Sequence, residues 1–184
     1  YQPIVELVSG KNVKVEALLR WSHPQYGNIS PLVLVRIAEK NGFITEIGKW
    51  VLKEACKQNK NWQLAGYEPI VISVNVSVIQ FEQTNFLETV KNILRETGLE
   101  PKYLQLEITE GIAMGSEDKA LQKIKELRKL GISVAIDDFG TGYSSLAYFM
   151  HFPIDTLKID RSFINNMLED ENSKTIIKAI IKMA

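Results

Sequence analysis

Short, nearly continuous apolar runs alternate along this chain with longer amphipathic segments, and that alternation restricts the fold more than any other feature. The runs are Val13–Trp21, Ile70–Val78, Leu104–Thr109, Ile132–Asp138 and Thr156–Ile159, each rich in Val, Ile or Leu. Apolarity sustained over about four to eight residues predicts strands buried on both faces, as in parallel sheets. In Thr45–Leu64 the residues Ile47, Val51, Ala55 and Cys56 recur at helical steps. Phe86, Val90, Ile93 and Leu94 repeat the pattern, with Gly98 placed as a stop. A third helix is expected to start at Ser116 as N-cap, with Glu117 and Asp118 in its first turn. It buries Leu121, Ile124 and Leu127 and ends at Gly131.

Strand, helix, strand, helix implies right-handed crossovers around a parallel sheet. A (β/α) barrel and an open doubly wound sheet both satisfy this order. No Gly-x-Gly-x-x-Gly follows the first strand, so the dinucleotide-binding open sheet loses support and a barrel is expected. The last segment, Ser173 to Ala184, is amphipathic and ends without a cap. A barrel needs about 200 or more residues, so the 184 residues are expected to form one domain cut before its last two strands.

Each run carries a polar group where apolar neighbours surround it: Glu16, Asn75, Glu107, the pair Asp137–Asp138, and Lys158. Burying a lone carboxylate costs several kcal/mol, so several converging at one end of a sheet call for a cation. In parallel barrel strands the C-terminal ends meet on the face that holds the chemistry. The donors are hard oxygens from carboxylates and one amide. With two histidines and one cysteine in the whole chain, the set suits Mg²⁺ or Mn²⁺ and disfavours structural zinc. Asp137 is placed on the strand and Asp138 where the strand gives way to a loop. One carboxylate can then bridge two cations while the next reaches the second, an arrangement suited to phosphoryl displacement. Lys158 adds positive charge near the nucleophilic water or the phosphate.

Singly, these residues have plainer readings. Glu16 or Glu107 reads as a strand-end carboxylate, Asn75 as a cap for the next helix, and Asp137–Asp138 as turn residues before Gly140 and Gly142. Lys158 reads as the ion-pair partner of Asp160. Together, on successive strands, they favour a functional site. The run Asp-Asp-Phe-Gly-Thr-Gly-Tyr-Ser-Ser has glycines that permit a positive φ and Ser144 as a cap. It lacks the Gly-Lys-Ser/Thr of a P-loop and is read as an active-site loop. Trp21, Trp50 and Trp62 are read as core or rim packing, Cys56 as an inert buried thiol, and His151 as a loop residue; His23 follows a strand end. Lys and Arg number 22, as do Asp and Glu; zero net charge argues against a general nucleic-acid binder. No apolar run approaches the roughly 20 residues of a membrane span.

The chain resembles the EAL domain family at Tyr1-Gln2-Pro3-Ile4, Glu16-Ala17-Leu18-Leu19-Arg20-Trp21, Val74-Asn75-Val76-Ser77 and Glu107-Ile108-Thr109-Glu110. The likeness continues through the run from Asp137 to Leu146 and through Leu157-Lys158-Ile159-Asp160-Arg161-Ser162-Phe163. It covers essentially the whole chain in the family's order. The resemblance implies a (β/α)8 TIM-type barrel with an antiparallel first strand, its C-terminal part missing here, and hydrolysis of cyclic di-GMP to linear pGpG with two Mg²⁺ or Mn²⁺ ions. Carried over by position, Glu16, Asn75, Glu107 and Asp137 resemble the ligands of one metal. Asp137 bridges, and Asp138 resembles a ligand of the second. Lys158, Glu16 and Asp137 are the expected catalytic residues, Lys158 positioning the water. Arg20 resembles the phosphate contact, Gln2 a guanine contact and Glu110 the anchor of the loop after Asp138. The resemblance also implies a bacterial signalling role and a homodimer. Fused sensor or GGDEF domains outside this chain are expected. So is a cytoplasmic location, free or as part of a membrane-anchored protein.

Gly111 stands where the family usually has serine, and Arg36 where it has proline; neither touches an expected ligand. The family's seventh-strand glutamate lies beyond Ala184, so these residues alone are expected to be inactive. The competing reading is a catalytically silent cyclic di-GMP receptor or protein-interaction module. Such a receptor has no chemical need for Glu16, Asn75, Glu107, Asp137 and Lys158 together.

Overall fold

The structure, a computed structural model, describes residues 1–111, 117–140 and 152–183. The expected cap Ser116, the run from Thr141 that includes Gly142 and Ser144, and His151 lie outside the described residues. The chain packs as two units, Tyr1–Leu106 and Glu107–Ala184.

In the first unit, β1 (Gln2–Val5) runs antiparallel to β2 (Asn12–Ala17), with Gln2 opposite Glu16. The apolar-run reading passed over β1, whose residues are mostly exposed. It also ran β2 on to Trp21. The strand instead stops at Ala17, and a separate hairpin of β3 (Trp21–His23) and β4 (Gly27–Ile29) follows. Next come α1 (Pro31–Lys40), which opens with a proline where no backbone donor is needed, and α2 (Ile44–Leu64). Along α2 the residues Ile44, Gly48, Leu52, Ala55, Cys56 and Asn59 form the buried face. At Gly48 a Cβ would sit 2.2 Å from the end of the buried Gln80 side chain, which would have to move to admit it.

β5 (Val71–Val76) lies parallel to β2, with Glu16 beside Ser73 and Ala17 beside Val74. Asn59 donates to the carbonyls of Ile70 and Tyr103, at 2.9 and 3.2 Å, and so ties α2 to the approaches of β5 and of the next strand. The short α3 (Val78–Glu82) is capped by Ser77, whose hydroxyl oxygen accepts from the Gln80 amide. α4 (Phe86–Thr97) buries Phe86, Val90, Ile93 and Leu94 and ends at Gly98, whose φ of 68° closes the last turn onto Leu94. Fully burying each such side chain contributes about 1.5–3 kcal/mol.

The unit boundary falls inside β6 (Leu104–Thr109), buried on both faces up to Ile108. In the second unit, α5 (Glu117–Lys129) buries Ala120, Ile124 and Leu127, while Leu121 is only half-buried. β7 (Ser133–Phe139) and β8 (Thr156–Ile159) are parallel neighbours. Asp155 holds their entry, accepting from Arg128 and from the Val134 amide at 2.8 and 2.9 Å. α6 (Arg161–Asn166) is capped by Asp160. Asp170 accepts from the Ser173 amide at the start of α7 (Glu171–Met183).

Among the described residues the main sheet has six strands in the order β1-β2-β5-β6-β7-β8. This corrects the closed TIM-type barrel expected from the sequence. Among the described residues the sheet is open, because β1 and β8 are its two edges and do not pair with each other. Alternating β and α segments dictate parallel neighbours and a curl, but closure requires the first and last strands to meet.

Candidate metal centre and active site

Strand alternation explains how the polar residues of an apolar sheet come to share a face. In β2, Glu16 sits between the buried Val15 and Ala17. In β5, Asn75 sits between the buried Val74 and Val76. Side chains two residues apart line one face, so Glu16 and Asn75 emerge near the C-terminal ends of parallel neighbours. Asn75 Nδ2 donates to Glu16 Oε1 at 2.8 Å. The capping role considered for Asn75 belongs to Ser77 instead.

β6 presents Glu107, which is 1% exposed. Lys158, from β8, donates to Glu107 Oε2 at 2.6 Å and lies 3.2 Å from Asp137 Oδ2 of β7. Its plain reading as a partner of Asp160 therefore gives way to pairing with two site carboxylates. A buried carboxylate needs such a counter-charge.

The β7–β8 register explains the Asp-Asp pair. Ile136 faces Leu157 and Phe139 faces Ile159, with a register shift between. Asp137 and Asp138 together therefore occupy the space opposite Lys158, which is a β-bulge. Asp138 has φ 53°, the single positive φ outside glycine among the described residues, a conformation costing about 1–3 kcal/mol. Bulges re-aim side chains beside active sites. Here the bulge lets consecutive carboxylates be used at one strand end. Asp138 thus lies within β7, not at a strand-to-loop junction.

Loss of surrounding water, then the charges of Asp137 and Asp160, raise the Asp138 carboxyl above its ordinary range, with Lys158 opposing. Asp160 is held below its usual range, mainly by the Ser162 hydroxyl and amide. Its carboxyl lies near enough to Asp138 to help raise the Asp138 carboxyl, which brings it to the site, a role the sequence reading missed. The available signal was its position two residues after Lys158. Glu110, buried, accepts from the Gly140 amide at 3.3 Å. Gly140 has φ 98°, and a Cβ there would come within 2.9 Å of the Phe163 ring.

One carboxylate oxygen from each of Glu16, Glu107 and Asp137 lies within 4.8 Å of the other two. Oxygens on opposite sides of an octahedral Mg²⁺ are about 4.2 Å apart, and those around larger cations somewhat more. The triad can therefore hold one divalent cation. The profile of the EAL domain matches residues 1–184. This chain belongs to the EAL domain family.

Relatives place this EAL domain more closely. It is 45% identical over 183 residues to a bifunctional diguanylate cyclase/cyclic di-GMP phosphodiesterase, MucR, of Pseudomonas aeruginosa, covering 100% of the chain and 27% of the relative. Identity to the cyclic di-GMP phosphodiesterase NbdA of the same organism is 41% over 184 residues, with 100% and 24% covered. The solved PaMucR phosphodiesterase, a complex with c-di-GMP, superposes with a TM-score of 0.95 at 45% identity, covering 99% of this chain and 74% of that one. The EAL domain thus spans about a quarter of the length of these curated relatives.

Gln2 pairs in register with Glu16 across β1 and β2. Arg20 is exposed and donates to the Leu19 carbonyl at 2.9 Å. It lines a cleft of about 170 Å³ with Tyr1, Leu18, Trp50 and Glu54. Trp21 and Trp50 are exposed rim residues rather than core. Cys56 is fully buried, and burial pushes its thiol up to about 12, consistent with inertness. No described helix is long and apolar enough to cross a membrane.

Proposed function

We propose that the protein hydrolyses cyclic di-GMP to linear pGpG with two Mg²⁺ or Mn²⁺ ions. The observation that carries this reading is the convergence of Glu16, Glu107 and Asp137 with the Lys158 ammonium held against two of them. A donor set of carboxylate oxygens fits hard divalent cations. A structural ion-pair cluster would have no use for the strained bulge that places Asp138 beside Asp137. The phosphodiesterase named in the PaMucR complex, and its c-di-GMP ligand, support the choice of substrate.

In this reading Glu16, Asn75, Glu107 and Asp137 hold the first ion, and Asp137 and Asp138 reach the second. The bound ions supply Lewis-acid charge for the attacking and leaving oxygens. Lys158, fixed by Glu107, orients the attacking water from its ammonium side. Arg20 leaves its local carbonyl contact to meet a phosphate, and Gln2 reads a guanine edge next to Glu16. Glu110 anchors the segment after Asp138 through the Gly140 amide. The parent protein acts as a cytoplasmic homodimer in bacterial signalling, and the cyclase half named in MucR supports a fused GGDEF-type domain.

The test is turnover of cyclic di-GMP by the full-length protein with Mg²⁺, Mn²⁺ or EDTA, reading pGpG by chromatography, beside Asp137→Asn. The expected result is EDTA-sensitive pGpG formation, lost in Asp137→Asn while its melting temperature in EDTA changes little. Equal turnover by that variant would sink the two-ion assignment. Tight binding without turnover in the wild type would establish the receptor reading in its place.

A further inference from the structure

The β3–β4 hairpin, which the proposed chemistry does not use, forms although it buries no side chain fully. Its residues are exposed except for the half-buried His23 and Ile29. An isolated two-stranded hairpin is marginally stable in water, so local contacts have to hold this one. At the turn they come from the His23 ring. Pro24 has no backbone N–H, and the next two amides, those of Gln25 and Tyr26, both donate to His23 Nδ1, at 3.1 and 3.3 Å. A backbone amide can only donate, so Nδ1 is the unprotonated ring nitrogen and the ring proton sits on Nε2. Trp21 and His23 lie two residues apart on β3 and share a face. The Trp21 ring meets the imidazole edge-on with centroids 5.6 Å apart, and the Tyr26 ring lies against it at 4.8 Å.

This hairpin starts at Trp21, directly after Arg20, the residue read above as the phosphate contact. Residues 18–20 belong to neither β2 nor β3, so their course is set by the strand before them and the hairpin after them. We propose that His23 is a positioning residue for Arg20. By accepting both turn amides, its Nδ1 keeps β3 paired with β4 and fixes the backbone from which the guanidinium reaches the phosphate. The inference rests on the cyclic di-GMP reading and adds a positioning residue to it. A purely structural role accounts poorly for this latch, because opening the hairpin uncovers no core. Loss of one net hydrogen bond changes the population of the paired hairpin by about fivefold.

The experiment is steady-state hydrolysis of cyclic di-GMP by the full-length protein with Mn²⁺. It compares wild type, His23→Phe, His23→Asn, Arg20→Ala and the double variant His23→Phe/Arg20→Ala. Phenylalanine keeps a ring for Trp21 and Tyr26 but accepts no hydrogen bond. Asparagine gives up the ring, but its Oδ1 accepts from the following amides as in an Asx-turn. The expected result is a KM raised at least about fivefold in His23→Phe with kcat within about twofold, the pattern of lost uniform binding. His23→Asn should stay within about twofold of wild type, and kcat/KM of the double variant within about twofold of Arg20→Ala. Amide exchange at Gln25 and Tyr26 should speed in His23→Phe and not in His23→Asn. The melting midpoint of His23→Phe should stay within about 2 °C of wild type, since no core is touched. His23→Ala replaces His23→Phe if the latter does not fold. An unchanged KM in the acceptor-free variant, no rescue by asparagine, or a further loss in the double variant overturns the role of His23 and leaves the hydrolysis reading standing. A wild type without turnover overturns that reading, and the inference with it.

Discussion

Replacing Lys158 by methionine removes the positive partner of a carboxylate that has no access to water. The Glu107 side chain is 0% exposed and that of Lys158 25%, with their charged atoms 2.6 Å apart. Breaking a buried pair by deleting one member costs about 3–5 kcal/mol. The partial exposure of Lys158 and its weaker contact to Asp137 at 3.2 Å put this case near the low end, about 3 kcal/mol. For a chain of 184 residues, each kcal/mol moves the melting midpoint by roughly 2–4 °C. Lys158→Met should therefore melt about 6–12 °C below wild type in EDTA. Saturating Mn²⁺ should narrow the gap, because a bound cation replaces the missing charge. The double variant Lys158→Met/Glu107→Gln should recover part of the loss in EDTA, since an amide in place of the carboxylate needs no counter-ion. Calorimetry of the three proteins, each with EDTA and with Mn²⁺, gives both comparisons. A Lys158→Met midpoint within about 2 °C of wild type in EDTA would refute the claim that Glu107 depends on this ammonium. Turnover should fall by at least about a hundredfold, the low end for loss of a group that positions or moves a proton.

Glu110→Ala should reduce turnover by about tenfold and speed amide exchange at Gly140, which loses its carboxylate acceptor. An unchanged rate together with unchanged protection would remove the anchoring role. Gly140→Ala should destabilise by about 1–3 kcal/mol, through the positive φ and the Phe163 contact. Denaturant titration should show that Phe163→Leu relieves only the steric part, and full recovery in the double variant would mean that backbone strain is negligible. With its thiol pushed up to about 12, Cys56 is thiolate in roughly one molecule in ten thousand at pH 8. Ellman's reagent should then react with it only as fast as the protein unfolds, and rapid labelling of the native state would contradict the burial.

The order of strands and helices was readable because burial on both faces leaves long apolar runs, and Leu104–Thr109 and Thr156–Ile159 stand where the runs placed them. Strands lacking that signature were missed. β1 is mostly exposed, and the β3–β4 hairpin carries exposed Trp21 and Tyr26, so nothing in their hydrophobic pattern separates them from loops. α1 was missed for a similar reason: Ala38 is its single fully buried residue. The site residues stood out because a charge within an apolar strand demands compensation, whereas Asp160 lies at a helix start, where an acid has an ordinary capping use.

The sequence alone determined which groups would be forced together. Alternating runs imply parallel neighbours, and a two-residue period aligns Glu16, Asn75, Glu107, Asp137 and Lys158 toward one side of them. Tertiary structure alone decided the rest. The sheet remains open because closure depends on whether its two edge strands meet. The Asp137–Asp138 bulge exists only in the register of β7 against β8. Lys158 chose Glu107 and Asp137 as partners because distances of 2.6 and 3.2 Å arise from packing between strands far apart in the chain, and no local pattern encodes them.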